Sequence, residues 1–306
     1  MQIGTSDGLR KAFCGICKTE LMHHIDRMPT LRDSIGSEIR RIFAEPGGQP
    51  IEISRQDTGL FGPASVCWQV HGDVTSMMIG GIASLLLQML EPSVLAGVWD
   101  HSVFRQDMRG RLRRTAAFLA RTTYGDRDQA LGEIARIRRI HDHVKGTLPD
   151  GTPYHANDPQ ALAWVHVTES LCFLDSYIRY RKPHMTLRDR DRYFAEMAQI
   201  GRLLGADPVP FTYSEAQRIV QQARPRLRFD ARTREIADLL MSQPPSKPRL
   251  APFHHMTMQA GVDLLPRWAR SMHGLSISIP ARLAVRGGTT GMAAITRWAL
   301  SEGSTV

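Results

Sequence analysis

The chain has 306 residues, of which 42% are hydrophobic and 23% charged, and its formal net charge is +9. This apolar content excludes an intrinsically disordered chain and is sufficient for a large core. The 39 basic residues include only five lysines and form no run of five or six, so the charge does not predict a nucleic-acid-binding surface.

Residues 1–62 are predicted to form an N-terminal helical arm and a linker. Apolar residues recur at helical spacing up to about residue 45, and residues 50–63 are polar and turn-forming. Residues 63–306 are predicted to form the main domain. Cys14 and Cys17 make a CxxC pair without further ligands at matching spacing, which favours incidental thiols over a zinc or redox site.

The sequence predicts a cytoplasmic protein without a transmembrane segment. Its N-terminus lacks the ordered basic, apolar and small-residue regions of a signal peptide, and the four cysteines suggest no disulfide framework. The most apolar run, from Met77 to Leu90, is interrupted by Gln88 and is shorter than the roughly twenty residues that a bilayer span requires. We therefore expect this run to be a buried helix.

Helical periodicity dominates from residue 74 onwards, after a short extended segment expected at residues 65–72. Residues 147–157 are expected to be a loop, and the glycine-rich stretch 286–291 is expected to be a turn. Because alternation of period two persists nowhere, the predicted fold class is mainly α, a single large helical domain. Caps and breakers predict helices over residues 74–90, 94–99, 109–124, 129–145, 159–181, 187–204, 214–223, 231–241, 257–262, 264–272 and 281–285.

Two neighbouring predicted helices place histidines where the apolar pattern indicates a core. His141 falls on an aliphatic stripe of the first helix, and His166 falls on an apolar stripe of the second. The other members of these stripes are Ile134, Ile137 and Val144 around His141, and Leu162, Val165, Glu169 and Phe173 around His166. Burying an imidazole costs free energy unless a partner satisfies it, so we expect a metal, a haem iron, a carboxylate or a backbone carbonyl at each ring.

A haem site needs fewer protein ligands than a metal ion that is held by side chains alone. Such an ion needs three or four convergent ligands, but His141 and His143 are two residues apart and cannot face one ion from a regular helix, and an HExxH zinc motif is absent. One neutral imidazole is enough to bind haem iron, and arginines such as Arg136 and Arg139 can pair with the propionates. Spacing alone also permits both histidines to be hydrogen-bonded core residues.

A series of short motifs runs in order from residue 71 to residue 168. They are His71-Gly-Asp73, Ile79–Gln88, Pro92, His101-Ser102, Arg111 with Thr115, Tyr124-Gly125, Arg138–Gly146, Gly151, Tyr154 with Ala156, Asp158-Pro159 and Trp164–Thr168. This series resembles a family of haem oxygenases that includes the latex clearing protein and the mycophenolate-pathway oxygenase. The resemblance spans roughly residues 65–225 and continues more weakly toward residue 285.

The resemblance implies a globin-like helical core that holds haem b through one proximal histidine, and O₂-dependent cleavage of carbon–carbon double bonds in isoprenoid substrates. His166 matches the proximal ligand, and the helix from Arg136 to His143 matches the segment on the opposite face or the propionate side. The rubber-cleaving branch is secreted and has a lysine and a threonine where this chain has Arg139 and Ile140. The closer similarity is to bacterial members whose substrate the resemblance does not identify.

We therefore expect residues 63–306 to be the catalytic domain of a haem b-dependent oxidoreductase or oxygenase. The enzyme would activate O₂ or a peroxide, and it would either oxidise a hydrophobic small molecule or cleave one of its carbon–carbon bonds. The apolar helix from Ile79 to Leu90 is expected to shape the substrate site. The alternative is a non-catalytic protein that binds haem or another small molecule. The sequence is compatible with a homo-oligomer as well as a monomer. The expected site residues are His141, Arg139 and Arg138 as catalytic groups, His166 as the iron ligand, and Arg136, His143, His101 and Thr168 as further cofactor-binding residues.

Overall fold

The computed structural model of the protein describes residues 32, 36–37, 58–245 and 247–301. Within these residues the chain forms twelve α-helices, two short 3₁₀ helices and one two-stranded hairpin, so the predicted mainly α, single-domain fold is confirmed. Most of the predicted N-terminal arm, including Cys14 and Cys17, lies outside the described residues.

In chain order the elements are α1 (Val66–His71), α2 (Val74–Gln88), α3 (Pro92–His101), α4 (Met108–Tyr124), α5 (Arg127–His141), β1 (Lys145–Thr147), β2 (Pro153–His155), α6 (Pro159–Tyr180), α7 (Leu187–Leu204), α8 (Tyr213–Ala223), a 3₁₀ helix (Arg224–Arg226), α9 (Ala231–Met241), a second 3₁₀ helix (Pro248–Leu250), α10 (Ala251–Leu264), α11 (Arg267–Met272) and α12 (Ile279–Leu300).

Polar N-caps determine where the long helices begin. Asp73, Asp126, Asp158 and Thr186 each accept a hydrogen bond from a first-turn backbone N–H that has no partner within its own helix. The predicted helices over 74–90, 109–124, 159–181 and 187–204 are confirmed, with ends that move by no more than one or two residues. Gly205 ends α7 in the left-handed conformation, with φ of 97°.

The segments on either side of α5 differ from the predictions. Residues 66–71 form a helix rather than an extended segment, because Ser65 caps them and Val66 and Val70 bury against the core. The predicted helix over 129–145 ends at His141, and its last residue, Lys145, begins β1. The expected loop over 147–157 contains the end of β1 and all of β2, and Gly146 of β1 pairs with Tyr154 of β2. A Cβ on Gly146 would lie 2.7 Å from the Tyr154 hydroxyl, so a side chain at residue 146 would displace the Tyr154 ring.

The prediction of a turn at residues 286–291 is wrong, because this stretch lies inside α12. Glycines disfavour a helix on propensity alone, but packing overrides that preference here. A Cβ on Gly288 would lie 2.9 Å from Cε of Met256, which shows how closely α12 approaches α10. Arg297 anchors the other end of α12 by an ion pair with Asp73 and a hydrogen bond to the carbonyl of Tyr180.

The centre of the core is the contact between α2 and α6. Gly80 permits it, since a Cβ there would lie 2.8 Å from the carbonyl oxygen of Cys172 and 2.9 Å from Cα of Phe173. Trp164, which has no exposed surface, donates from its indole N–H to the carbonyl of Gln88 at 3.3 Å. α10 covers another face of α2, where Gly261 fits against Ile82.

None of the described helices by itself has both the length and the apolar character needed to cross a bilayer. In the described part of the chain one pair of helices, α2 and α3, reaches those limits together, and the two are bent by 104° at the break between them.

Candidate functional site

α6 buries a histidine whose ring has an unused nitrogen. His166 is 5% exposed, and its helix neighbours Trp164 and Val167 are fully buried. Nε2 of His166 has no hydrogen-bond partner among the described residues. Burial lowers the pKa of His166 to about 4, so the ring is neutral at physiological pH and keeps a lone pair.

The flat face of the His166 ring lies against Gly201 of α7. A Cβ added to Gly201 would stand 3.0 Å from both Cδ2 and Nε2, and 3.2 Å from Cε1. If the added carbon lay in the ring plane, along the direction of the Nε2 lone pair, Nε2 would be clearly closer to it than Cδ2 and Cε1. The nearly equal distances therefore place this carbon above the face of the ring. Gly201 therefore supports the ring without blocking the direction in which Nε2 can bind a ligand.

Glu169 lies one helical turn beyond His166 and is a second unusual group in the interior. Its side chain is only partly exposed, and burial raises its pKa to about 7. Residues three apart on a helix share a face, so this carboxyl can exchange a proton near neutral pH one turn away from the imidazole. In the sequence Glu169 stands out as an acidic residue on an otherwise apolar stripe. The helical pattern alone did not predict its proton-exchange role.

The surroundings of His166 fit a residue that would hold a haem iron. Proteins bind haem iron through the nitrogen of a neutral histidine, and the unpartnered nitrogen of this buried imidazole is of that kind. In the described part of the chain, no three His, Cys, Asp or Glu side chains converge as an ion held by protein ligands alone would need. Thr168, expected to bind the cofactor, donates its hydroxyl to the carbonyl of Trp164 at 2.7 Å within its own helix.

His141, expected to point into the core, is half-buried at the C-terminal end of α5. Burial lowers the pKa of its ring, and the side chain of Asn157 acts in the opposite direction. α5 packs on α4 and α7, whereas α6 packs chiefly on α2. Because α7 contacts both α5 and α6, His141 and His166 lie on two helices that share a neighbour.

The three arginines of α5 expected at the site are exposed. Arg138 reaches the C-terminal end of α7, where its Nη1 donates to the carbonyl of Leu203 at 3.2 Å. A cation is favourable there because of the helix dipole, and this contact connects α5 to the helix that supports His166. Arg136 is paired with Glu133 at 2.7 Å, while Arg139 extends from the exposed face of α5.

His101 and His143, expected to bind the cofactor, lie beside the β-hairpin at the surface. Nε2 of His101 is 3.2 Å from the carbonyl oxygen of Lys145, and Nδ1 of His143 is 2.9 Å from that of Arg139. The hairpin borders an open pocket of about 640 Å³, lined in part by Tyr154. The structure therefore does not bring these two histidines into contact with His166.

Two other buried histidines show what is particular to His166. Nδ1 of His71 is 2.8 Å from the hydroxyl of Thr123, and Nε2 is 3.1 Å from that of Tyr193, so both ring nitrogens are engaged. Nε2 of His273 is 2.9 Å from a backbone carbonyl oxygen, although its Nδ1 has no partner among the described residues. These contacts hold both rings as structural groups of the core.

Comparison with known proteins identifies one family. The model of the family described as "ER-bound oxygenase mpaB/B'/Rubber oxygenase, catalytic domain" matches residues 68–298. This range begins in α1 and ends in α12, and it includes every residue of the site described above. No curated protein and no solved structure shows significant similarity to the chain.

Proposed function

The chain belongs to the family of ER-bound oxygenase mpaB/B′ and rubber oxygenase catalytic domains, and from this premise we propose that it is a haem b-dependent oxygenase that uses O₂ to oxidise or cleave a hydrophobic small molecule. The observation that carries the proposal is the unpartnered Nε2 of the buried His166. In this proposal Nε2 of His166 is the atom that would hold the haem iron. When bound, haem supplies an iron centre that activates O₂ or a peroxide.

The chain's own residues keep the ligand ready. Burial keeps the His166 ring neutral over the whole physiological pH range, so no proton competes for Nε2. The ring face packs against Gly201, where a Cβ would stand 3.0 Å from Nε2, and the apolar neighbours of α6 exclude water from it. An imidazole held in this way would lose little conformational entropy on binding the iron.

Glu169 is the group best suited to hold or release a proton in the reaction. Its pKa of about 7 is the value at which a general acid or base works most effectively near neutral pH. We add it to the catalytic candidates His141, Arg138 and Arg139. Arg138 contacts α7, the helix that packs against His166, whereas Arg136 is paired with Glu133. This difference supports Arg138 over Arg136 as the partner of a haem propionate. We keep His101, His143 and Thr168 as weaker cofactor-binding candidates.

A hydrophobic substrate is supported by the apolar surface of α2. Most of α2 packs against α6 and α10, and within Ile79–Leu90 Gly81 is the one residue that is not buried. It lies on one helical stripe with Val74, Met77 and Met78, which are also partly exposed, so we extend the proposed substrate contact to this stripe. Cys67 and Cys172 are both buried free thiols, which supports the proposed cytoplasmic location.

Absorption spectroscopy of the purified protein titrated with haem tests the axial ligand. We expect a Soret band at one haem per chain, a changed and weakened band in His166→Gly, and recovery of the band when imidazole is added to that variant. His273→Gly is the matched control, because it also removes a buried imidazole, and its band should stay as in the wild type. An unchanged band in His166→Gly would reject the assignment.

Oxygen consumption by the haem-loaded protein separates an oxygenase from a haem carrier. We expect O₂ uptake that depends on an added unsaturated hydrocarbon and is slowed in Glu169→Gln without loss of the Soret band. A protein that binds haem through His166 but takes up no O₂ with any such compound would instead be the non-catalytic haem-binding protein of the alternative hypothesis.

A further inference from the structure

Four arginines surround one buried carboxylate where α6, α10, α11 and α12 meet. Asp263 of α10, whose side chain has no exposed surface, lies 2.7 Å from Nε of Arg286 and 3.0 Å from Nη1 of Arg179. Nε of Arg282 is 3.0 Å away, and Nη1 of Arg270 is 3.5 Å away. We refer to these five residues as the Asp263 cluster.

The carboxylates near the cluster do not balance its charge. Asp263 carries one negative charge against four guanidinium groups, which remain charged in proteins. Asp175 also acts electrostatically on Arg179, but it lies four residues earlier on α6 and accepts a hydrogen bond from Tyr213 at 2.8 Å. Even with Asp175 counted, the cluster keeps a net positive charge within the described residues.

The donors inside the cluster are incompletely satisfied. Nη1 of Arg270 and Nε of Arg282 are buried, and both face Asp263, at 3.5 and 3.0 Å, without hydrogen-bond geometry. Tyr180, beside the cluster, is 3% exposed and is influenced electrostatically by Arg179 and Asp263. Burial, and then the neighbouring Arg282, lowers the pKa of Arg270, as crowding of cations requires.

A structural ion pair needs only one or two of these arginines. One carboxylate accepts a bidentate pair from a single guanidinium, and each further cation adds repulsion between the arginines themselves. Several guanidinium groups that converge on one point, with those of Arg282 and Arg286 partly exposed, are the arrangement by which proteins bind phosphate groups. We propose that the Asp263 cluster is a binding site for a multiply charged phosphate group, such as a diphosphate or a phosphomonoester.

The site is open to a ligand on its α12 side. The side chain of Arg286 is 41% exposed and that of Arg282 is 33% exposed, whereas that of Arg270 is 13% exposed and forms the floor. On the same helix Ile279 and Leu283 are 73% and 66% exposed. An aliphatic surface next to a phosphate site fits a ligand in which a phosphate group is attached to a hydrocarbon chain. Such a ligand is either a soluble small molecule or a membrane lipid.

The phosphate site does not depend on the proposed haem function. Arg179 lies on the same helix as His166 but roughly 20 Å further along its axis, at the rise of an α-helix. A ligand at the cluster therefore does not touch the His166 ring, and loss of haem binding leaves the phosphate site intact.

Thermal unfolding of the full chain with pyrophosphate tests the proposal. We expect a rise in Tm that increases with pyrophosphate concentration and exceeds the effect of chloride at equal ionic strength. Arg282→Gln with Arg286→Gln should raise the apparent Kd about tenfold or more, while the paired control Arg127→Gln with Arg218→Gln, at exposed positions of α5 and α8, should leave it unchanged. Should the double variant not fold, Arg286→Gln alone is the outermost change and should still weaken binding.

Sedimentation with vesicles distinguishes a lipid from a free phosphate compound. Binding to phosphatidylcholine vesicles that contain phosphatidic acid, lost in the Arg282 and Arg286 variants and absent from phosphatidylcholine alone, would identify a lipid headgroup. A response to pyrophosphate without vesicle binding would identify a soluble ligand. The proposal is overturned if neither ligand binds, or if the variants bind as tightly as the wild type.

Discussion

Gly201 of α7 lies so close to the ring of His166 that a Cβ at position 201 would stand 3.0 Å from Nε2 and from Cδ2. Because that carbon would sit over the face of the ring, the absence of a side chain at residue 201 decides the orientation of the imidazole. The relationship joins two residues that are 35 positions apart in the chain, and it makes α7 part of the candidate site.

Gly201→Ala should tilt the His166 ring. Alanine favours a helix over glycine by about 0.5–1 kcal/mol, but the close contact opposes this gain, so we expect a net loss of about 1 kcal/mol. The NMR signals of the His166 ring should shift, and the Soret band of the haem-loaded protein should change with them. Gly132→Ala on the exposed face of α5, where a Cβ would meet nothing within 4 Å, should instead stabilise the protein. Unchanged His166 signals in Gly201→Ala would contradict the contact.

Glu169→Gln should change the pH dependence of stability. Burial raises the folded-state pKa of Glu169 to about 7 from the ordinary 4.5, so between these pH values the folded protein binds more protons at this group than the unfolded chain does. The contribution of Glu169 is therefore present below pH 4.5 and is lost as the pH rises through 7. Relative to the wild type, the variant should gain roughly 1–3 kcal/mol in the free energy of unfolding between these limits, measured by urea denaturation. A difference that does not vary with pH would disprove the raised pKa.

Gly80→Ala should disrupt the contact between α2 and α6. The added Cβ would lie 2.8 Å from the backbone carbonyl of Cys172, which cannot move without displacing α6, so we expect a loss of about 2–4 kcal/mol in denaturant unfolding. The adjacent Gly81→Ala is the control, because its Cβ would meet only Phe173 at 3.9 Å. Equal effects of the two substitutions would mean that the helices are farther apart than described.

Asp73→Asn should weaken the attachment of α12 while it retains the N-cap of α2. Burial alone would raise the pKa of Asp73, but hydrogen bonds from Arg297 and Ser76 outweigh it and lower the pKa below the usual 3.8. The ion pair therefore contributes above pH 3.8, and its contribution is lost as the pH falls through the folded-state pKa. We expect the variant to lose about 2–3 kcal/mol at pH 7 and less in acid, because Arg297 is left partly buried and unpaired.

Glu235→Gln provides the comparison for Asp73. It breaks the more exposed pair with Arg105, whose side chains are 40% and 43% exposed, and should cost no more than about 1 kcal/mol. If both substitutions had the same small effect, Arg297 would not anchor α12.

The sequence determined the helical content and most helix ends by itself. Asp73, Asp158 and Thr186 satisfy first-turn amides through contacts only two or three residues away, and local contacts of this kind can be read from the order of residues. The burial of His166 followed from the apolar stripe around it. Its role as an iron ligand was implied by the family resemblance and stays a prediction.

Tertiary packing alone decided the features that depend on distant residues. Glycines that suggested a turn at 286–291 lie in α12 because Met256 of α10 occupies the space beside Gly288. His141 shares the helical pattern of His166, but its helix packs on α4 and α7 near the surface, so equal patterns gave unequal burial.

The Asp263 cluster and the contact of Gly201 with His166 were not visible in the sequence, because each is made by residues far apart in the chain. Periodicity reports which face of a helix is buried, and a cap reports where the helix begins, since both depend on neighbours along the chain. Neither reports which helix covers that face. That choice is made by the fit between distant side chains, and it gives His166 a glycine at its ring face and Asp263 its four arginines.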